Sequence, residues 1–371
     1  MTSRERLLCV LNGKTPDRVP ISTYELVGYD TKNFCNIEPS YKPLMDYIRE
    51  KTDCIAMWNP LSDQGLAASS LPVDLKQVKH KLPDGQETQS ILRIGSKTLT
   101  STTRSIDNVY TTWETEPWCK NTDDVDTMLS IPYEPVTYDI SDYPRIREEV
   151  GDRGIIMPTL GDPAHAAMCL MEFSESFLWV MTETEHFAKT VDVLHKRRMD
   201  NLKRELETLT CDIYRICGPE YMTPPLLPRW CFERFMFPYL KDMVELIHSK
   251  GAKVRLHSHN NIGSLVDLFE KLGVDATDPC EGPPDGDIEF SDLKQRIGDK
   301  ITLFGNMQLK VLENGTEAEV RTETRRIMEA GKPGGRFVIM PTAAPINVPL
   351  SKRTQENYFA FIDEALALSA Y

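Results

Sequence analysis

The sequence predicts an α/β protein, a closed (β/α)8 barrel of the TIM type over residues 1–371, with an antiparallel β insertion after its second strand. Three observations support this. Short, β-rich apolar runs occur eight times along the chain. Nearly all are followed by apolar residues at helical spacing, and strict alternation of strand and helix implies parallel pairing. One stretch, 76–120, breaks the alternation and carries hairpin signals instead.

The eight runs fall at 18–22, 53–59, 154–160, 212–218, 253–259, 276–281, 301–307 and 336–342. Each is rich in Ile, Val, Leu or Phe and bounded by Gly, Pro, Asp or Asn. After the fourth, Leu240, Met243, Val244 and Ile247 sit at i, i+3, i+4 and i+7, with Gly251 as a stop. After the fifth, Leu265, Leu268, Phe269 and Leu272 repeat the spacing before Gly273. A longer helical stretch, 172–206, follows the third run, and the last helix carries Tyr358, Phe361, Ile362 and Leu366. The exception, KQVKHKLPDGQETQSILRIGSKTLTSTTRSIDNVYTTWETEPWCK, has a turn at Pro83-Asp84-Gly85 and Thr-rich runs joined around Asp107-Asn108. Placed after a barrel strand, it belongs to the rim of the active face, as a lid or a partner surface.

Composition excludes several function classes. With 40% hydrophobic and 27% charged residues the chain is an ordinary soluble protein. No apolar run reaches 18 residues, so no membrane span is expected. The charged start MTSRERLLCVLNGKTPDRVP lacks the apolar centre of a signal peptide. Nine scattered cysteines without a CxxC pair predict a reducing, cytoplasmic setting. A net charge of −13 argues against nucleic acid or an anionic membrane as partner. The phosphate-cradling patterns GxxxxGK[ST] and GxGxxG are missing, as are GxSxG and the corrinoid-holding DxHxxG.

In a barrel of this kind the C-terminal strand ends carry the chemistry. They present Tyr24 and Tyr29, Trp58 and Asn59, Asp162 and His165, Glu220 and Tyr221, and His257 and His259. The last three strands add Asp278, Cys280 and Glu281, then Asn306 and Gln308, then Thr342 and Asn347. Side chains alternate along a strand, so Arg255, His257 and His259 share one face of VRLHSHN, while Val254 and Leu256 share the other. The apolar set suits the outer helices, which turns both imidazoles inward. Two imidazoles at i, i+2 ligate one metal if a carboxylate or thiolate converges from a neighbouring strand, and Glu220, Cys280 and Glu281 are such neighbours. Each has a plainer reading. Glu220 also reads as a cap or arginine partner, Cys280 as a small buried hydrophobe. Asp162 also reads as a loop-shaping cap and His165 as helix packing. Tyr24, Tyr29, Trp58 and Tyr221, with Asn306 and Asn347, together would line a substrate pocket.

The opening TSRERLLCVLNGKTPDRVPI, the central Gly161-Asp162-Pro163, and the tail segments HSHNNIGSLVDLFEKLGVDATDPCEGPP, ITLFGNMQ and RFVIMPTAAPINVPLS resemble the uroporphyrinogen decarboxylase superfamily over nearly the whole chain. That superfamily holds porphyrinogen decarboxylases and zinc-dependent methyltransferases that exchange methyl groups with corrinoid proteins. The decarboxylases carry an arginine-rich RQAGR-type segment near the first strand; here ISTYELVGYD has no arginine. A polyanionic substrate would then bury carboxylates unpaired.

The methyltransferase branch looks closer. Coenzyme M-type members carry H-x-C at the histidine strand and a second cysteine near the last strand. His257 matches their histidine, His259 replaces the first cysteine, and Ala344 stands near the second. The resemblance thus implies a harder zinc site of Glu220, His257 and His259 with Cys280 or Glu281, more Lewis-acidic than a two-thiolate one. Such a site favours demethylating an ether or amine over methylating a thiol. The expected function is transfer of a methyl group from a small methylated substrate, first a methoxylated aromatic, to the cobalt of a separate corrinoid protein. Asp162, Glu220 and His257 would be catalytic, and the chain is compatible with a homodimer. The alternative is a decarboxylase or lyase acting on a non-porphyrin substrate. A third reading is a binding protein on the same fold without turnover.

Overall fold

The structure, a computed structural model, describes residues 1–29 and 33–371. The chain opens with a helix, Ser3–Leu11, closed at its start by a capping box between Thr2 and Glu5. The segment after it runs extended, and Ile21 forms a parallel bridge to Ile339. Strand β1 (Cys54–Met57) then takes the Ile21 carbonyl through the Asp53 N–H at 2.8 Å. β2 (Leu61–Ser62) pairs with β7 (Tyr138–Asp139). Between them β3 (Asp74–Leu82), β4 (Gly85–Ile94), β5 (Lys97–Ile106) and β6 (Thr112–Glu116) form a four-stranded antiparallel sheet in simple up-and-down order.

After β7 the strands are all parallel. β8 (Gly154–Met157) pairs with β1, and β9 (Thr159–Gly161) continues beyond Pro158 to pair with β10 (Ile213–Cys217). β11 (Lys253–His257), β12 (Ala276–Asp278), β13 (Thr302–Met307) and β14 (Phe337–Pro341) follow in order, each beside its predecessor. The Ser22 N–H then meets the Ile339 carbonyl at 3.0 Å, so hydrogen bonds run from Ile21 through successive strands and back to it. β13 and β14 are buried along their whole length, as expected of parallel strands covered by helices.

Side chains facing into this ring form one apolar cluster of Ile55, Ile155, Met157, Ile213, Ala276, Phe304, Val338 and Met340 with Tyr24. The opposite faces pack against the helices. Leu240, Met243, Val244 and Ile247 are buried on Phe237–Ser249, which is the stripe their spacing implied. Among the described residues no helix is long and apolar enough to cross a membrane.

Three expectations shift. The fifth and sixth strands end at His257 and Asp278, short of 259 and 281. The Ser258 N–H takes the Asp278 carbonyl, and Pro279 offers no N–H to extend the ladder. The helical stretch 172–206 divides into Phe173–Thr182 and Thr184–Thr208 at Glu183, whose φ and ψ of −119° and 46° are not helical. The excursion contains a further two-residue turn at Gly95-Ser96, where Gly95 takes φ +57°. Its last turn meets the loop after β14 through an antiparallel bridge from Val109 to Asn347.

Candidate metal centre

β10 and β11 lie in a register that sets Arg215 opposite Arg255 and Cys217 opposite His257. Alternation then aims all four side chains at one face, with Cys217 and His257 at the C-terminal ends. β12 places Asp278 opposite His257. After Cys217 the chain turns at Gly218, φ +127°, where a Cβ would collide with the Asp162 carboxylate and His165. That turn leads into the short helical segment Pro219–Met222 and brings Glu220 back over the strand end. The Cys217 thiol, a Glu220 carboxylate oxygen and a His257 ring nitrogen all lie within 4.8 Å of one another.

One thiol, one carboxylate and one imidazole converging at a half-buried spot are a donor set that suits zinc with a fourth position open. The surroundings fit as well. His257 Nδ1 lies 2.8 Å from Asp278 Oδ2, which fixes the ring and leaves the other ring nitrogen as the one open to a metal. Arg255 in turn donates to both Asp278 oxygens, at 2.7 and 3.0 Å. Burial would raise the Asp278 carboxyl, but Arg255 and His257 hold it far below the usual carboxylate range. Burial pushes His257 down to about 4 against the pull of Asp278, so the ring is neutral and ready to donate its lone pair at neutral pH. Burial pushes the Cys217 thiol up to about 12, and a metal must displace that proton to bind.

A second group borders the first. Asp162 caps the helix Pro163–Met168, its Oδ1 accepting the His165 N–H at 2.8 Å. Its Oδ2 is buried with no hydrogen-bond partner, and burial pushes the carboxyl up to about 7. Burial likewise raises Glu220, with Asp162 adding repulsion. The His165 ring packs edge-on to Tyr221 at 4.5 Å, and Tyr221 packs edge-on to Phe173 at 5.7 Å, making an aromatic wall. A cavity of about 190 Å³ opens beside Asp162, lined by Ala67, Ala68, His165, Leu194 and Arg198 among others.

The expected residues divide. Asp162, Glu220, Tyr221 and His257 come together. His259 stands next to them, its ring 4.6 Å from that of His257, but its Nδ1 is engaged by Glu281 at 2.9 Å and it stays outside the ligating trio. Burial opposes the His259 cation, but Glu281 and Glu220 outweigh it and raise the ring's pKa. The Cys280 thiol is buried and points to the Thr277 carbonyl at 3.6 Å, and the thiol that lies near Glu220 and His257 is that of Cys217. Tyr24 lies under His257, with ring centroids 6.1 Å apart. Asn306 is buried and donates to the Cys280 carbonyl at 3.0 Å, tying β13 to the loop after β12.

Three expected pocket residues lie elsewhere. Tyr29 donates to the Arg49 carbonyl and carries Arg153 over its ring, and Arg153 precedes β8, at the opposite end of the strands. Trp58 turns outward, its Nε1 donating to Asp142 at 3.2 Å and its ring against Tyr143. Asn347 is exposed, with its backbone bridged to Val109 and its carbonyl taken by Tyr41 Oη at 2.9 Å.

Known proteins agree with this architecture. A solved methyltransferase from Methanosarcina mazei matches at a TM-score of 0.61 and 16% identity, covering 99% of both chains, a likeness of fold. A uroporphyrinogen decarboxylase from Dichelobacter nodosus (strain VCS1703A) is 26% identical over 137 residues, 33% of this chain. The matched region spans 35% of that relative's length. Residues 115–359, more than half of the chain and all of β8 through β14, match the uroporphyrinogen decarboxylase (URO-D) family. The chain belongs to the uroporphyrinogen decarboxylase family.

Proposed function

We propose that this protein is a zinc-dependent methyltransferase that moves a methyl group from a small methylated substrate, a methoxylated aromatic by preference, to the cobalt of a separate corrinoid protein. The ring of parallel strands is read as a closed (β/α)8 barrel, the whole chain as one domain, and the antiparallel sheet 74–116 as an insertion at its mouth. The observation that carries the reading is the convergence of Cys217, Glu220 and His257 within 4.8 Å, with Asp278 behind His257. The likeness to the Methanosarcina mazei methyltransferase supports the choice of chemistry.

Cys217, Glu220 and His257 would hold the metal, and Asp278 fixes the ring of His257 while Arg255 fixes Asp278. When bound, zinc would supply Lewis acidity to the departing oxygen, while the partner's corrinoid accepts the methyl group. Asp162 holds a proton at its unpartnered Oδ2 near neutral pH, available to an oxygen that leaves as an anion. The wall of His165, Tyr221 and Phe173 offers flat apolar faces to an aromatic ring. Cys217, Cys231 and Cys280 are free thiols, which suits a reducing, cytoplasmic setting.

The experiment combines metal analysis with methyl transfer. Purified protein should carry one zinc ion per chain, lost in Cys217→Ala and His257→Ala. Reduced corrinoid protein mixed with methoxylated aromatics should show the spectrum of methylated cobalt. A metal-free protein, or no cobalt methylation across ethers, amines and thiols, refutes the proposal. The buried, unpartnered Asp162 favours one alternative, a metal-free decarboxylase or lyase, which would release carbon dioxide or another small fragment without zinc or corrinoid.

A further inference from the structure

Below Cys217 and His257, the next inward pair on the same two strands is Arg215 and Arg255. Their surroundings differ. Arg255 is bonded to both oxygens of Asp278, and the remaining reach of that carboxylate goes to His257. Asp278 acts on Arg215 through its charge and not by a hydrogen bond. Arg215 is only 4% exposed, yet among the described residues its one hydrogen bond runs from Nη2 to Tyr24 Oη at 2.6 Å, to a neutral group. Its Nε is buried with no partner. Nη1 stands 3.6 Å from Glu25, beyond hydrogen-bond distance, and the Glu25 side chain is half-exposed at the rim.

Tyr24 is held in an unusual backbone conformation, φ +58°, that sets its ring under the Arg215 guanidinium, 5.2 Å from Cζ to centroid. Because Tyr24 Oη accepts from Arg215, its own hydrogen is free to donate, and it has no acceptor among the described residues. Burial keeps that phenol protonated well past its ordinary range. Asp278 and, at longer range, Glu25 balance the charges of Arg215 and Arg255, but the Arg215 Nε and the Tyr24 hydroxyl hydrogen are left without acceptors among the described residues. Leaving buried donors unpaired costs free energy that an arriving carboxylate would return.

We propose that Arg215 and Tyr24 form a clamp for one carboxylate group, so that the ligand of this site is a monoanionic organic acid. The guanidinium edge and the phenol hydrogen match the two oxygens of a carboxylate. A single clamp admits a single negative charge, and a second carboxylate would meet Glu220, Asp162 and Glu281 instead. This inference rests on the proposed function only in identifying the acid with the methyl donor, which then becomes a methoxylated aromatic carboxylate.

The test is binding without turnover. The full chain is titrated by calorimetry with 4-methoxybenzoate and with methoxybenzene, with and without zinc and without corrinoid protein. The carboxylate should bind roughly ten-fold or more tightly than the neutral ether, as a charge-assisted pair requires. Arg215→Met should erase the preference, Tyr24→Phe should reduce it several-fold, and Arg215→Lys should keep part of it. Equal affinities in the native protein, no carboxylate binding, or a folded Arg215→Met with undiminished preference overturns the clamp. If Arg215→Met does not fold, an unchanged preference in Tyr24→Phe overturns it. Preference without cobalt methylation sinks the methyl-transfer reading alone, and methylation by methoxybenzene without preference sinks the clamp alone.

Discussion

Asp278→Asn removes one negative charge and no volume, and the structure says what that charge supports. Asp278 is fully buried and receives two bonds from Arg255 and one from His257, at 2.7, 3.0 and 2.8 Å. An asparagine leaves the Arg255 guanidinium buried without a counter-charge, a loss of about 3–5 kcal/mol when one partner of a buried pair is deleted. For a chain of this size that lowers Tm by roughly 5–10 °C. It also presents an amide where His257 Nδ1 needs an acceptor, so zinc affinity should fall about 10- to 100-fold through a residue that never touches metal. Calorimetric unfolding of the metal-free protein reads the first effect, and competition with a chromogenic chelator reads the second. The two effects separate, because Arg255→Met with Asp278 intact should lower stability while leaving more of the zinc affinity. Unchanged Tm and unchanged zinc affinity in Asp278→Asn would refute the idea that this carboxylate organises the site.

Further outcomes follow from individual residues. Cys217→Ser should abolish the thiolate-to-cobalt charge-transfer band of the Co(II)-loaded protein, whereas Cys280→Ser should retain it; the reverse result would restore Cys280 to the ligand set. Asp162 has its folded pKa raised from 3.8 to about 7, so its contribution to stability is full below pH 4 and is lost as pH rises through 7. The upper bound is about 4 kcal/mol, and Asp162→Asn should flatten the unfolding free energy over that window, measured by urea melts at several pH values. Gly218→Ala places a Cβ against the Asp162 carboxylate at φ +127° and should cost about 1–3 kcal/mol, read from the same melts. Trp58→Phe loses only an outward bond to Asp142, so methyl transfer and substrate KM should stay within about two-fold of the native values.

Much of the fold was legible because its signals are local. Helical stripes such as Leu240–Met243–Val244–Ile247 depend on residues a few positions apart and took the expected place, whereas the run 18–22 forms only isolated bridges. The site was harder to read because it depends on register between strands. In RIC, Cys217 reads as a small hydrophobe, while Glu220 three residues later reads as a site residue. A signal does exist: Arg215-x-Cys217 and Arg255-x-His257 repeat one spacing on neighbouring strands, and aligning the arginines aligns Cys217 with His257. Cys280 lies apart from that group because β12 ends at Asp278 and the alternation that would aim position 280 ends with it. Tyr29, Trp58 and Asn347 follow strand ends in the sequence, which says nothing of the direction a loop takes. The Val109–Asn347 contact joins residues that no periodicity connects.

The pairing of Ile21 with Ile339 has a bearing on how the chain is made. The earliest extended segment leaves the ribosome with one flank bare, and its neighbour on that side is almost the last strand to be synthesised. Until residue 341 emerges, two unpaired edges face solvent at once, one at each end of a curved parallel sheet. Vectorial synthesis therefore defers that pairing until β14 has emerged. Nascent chains arrested shortly before β14 should be the ones that recruit holdase chaperones and resist proteolysis least.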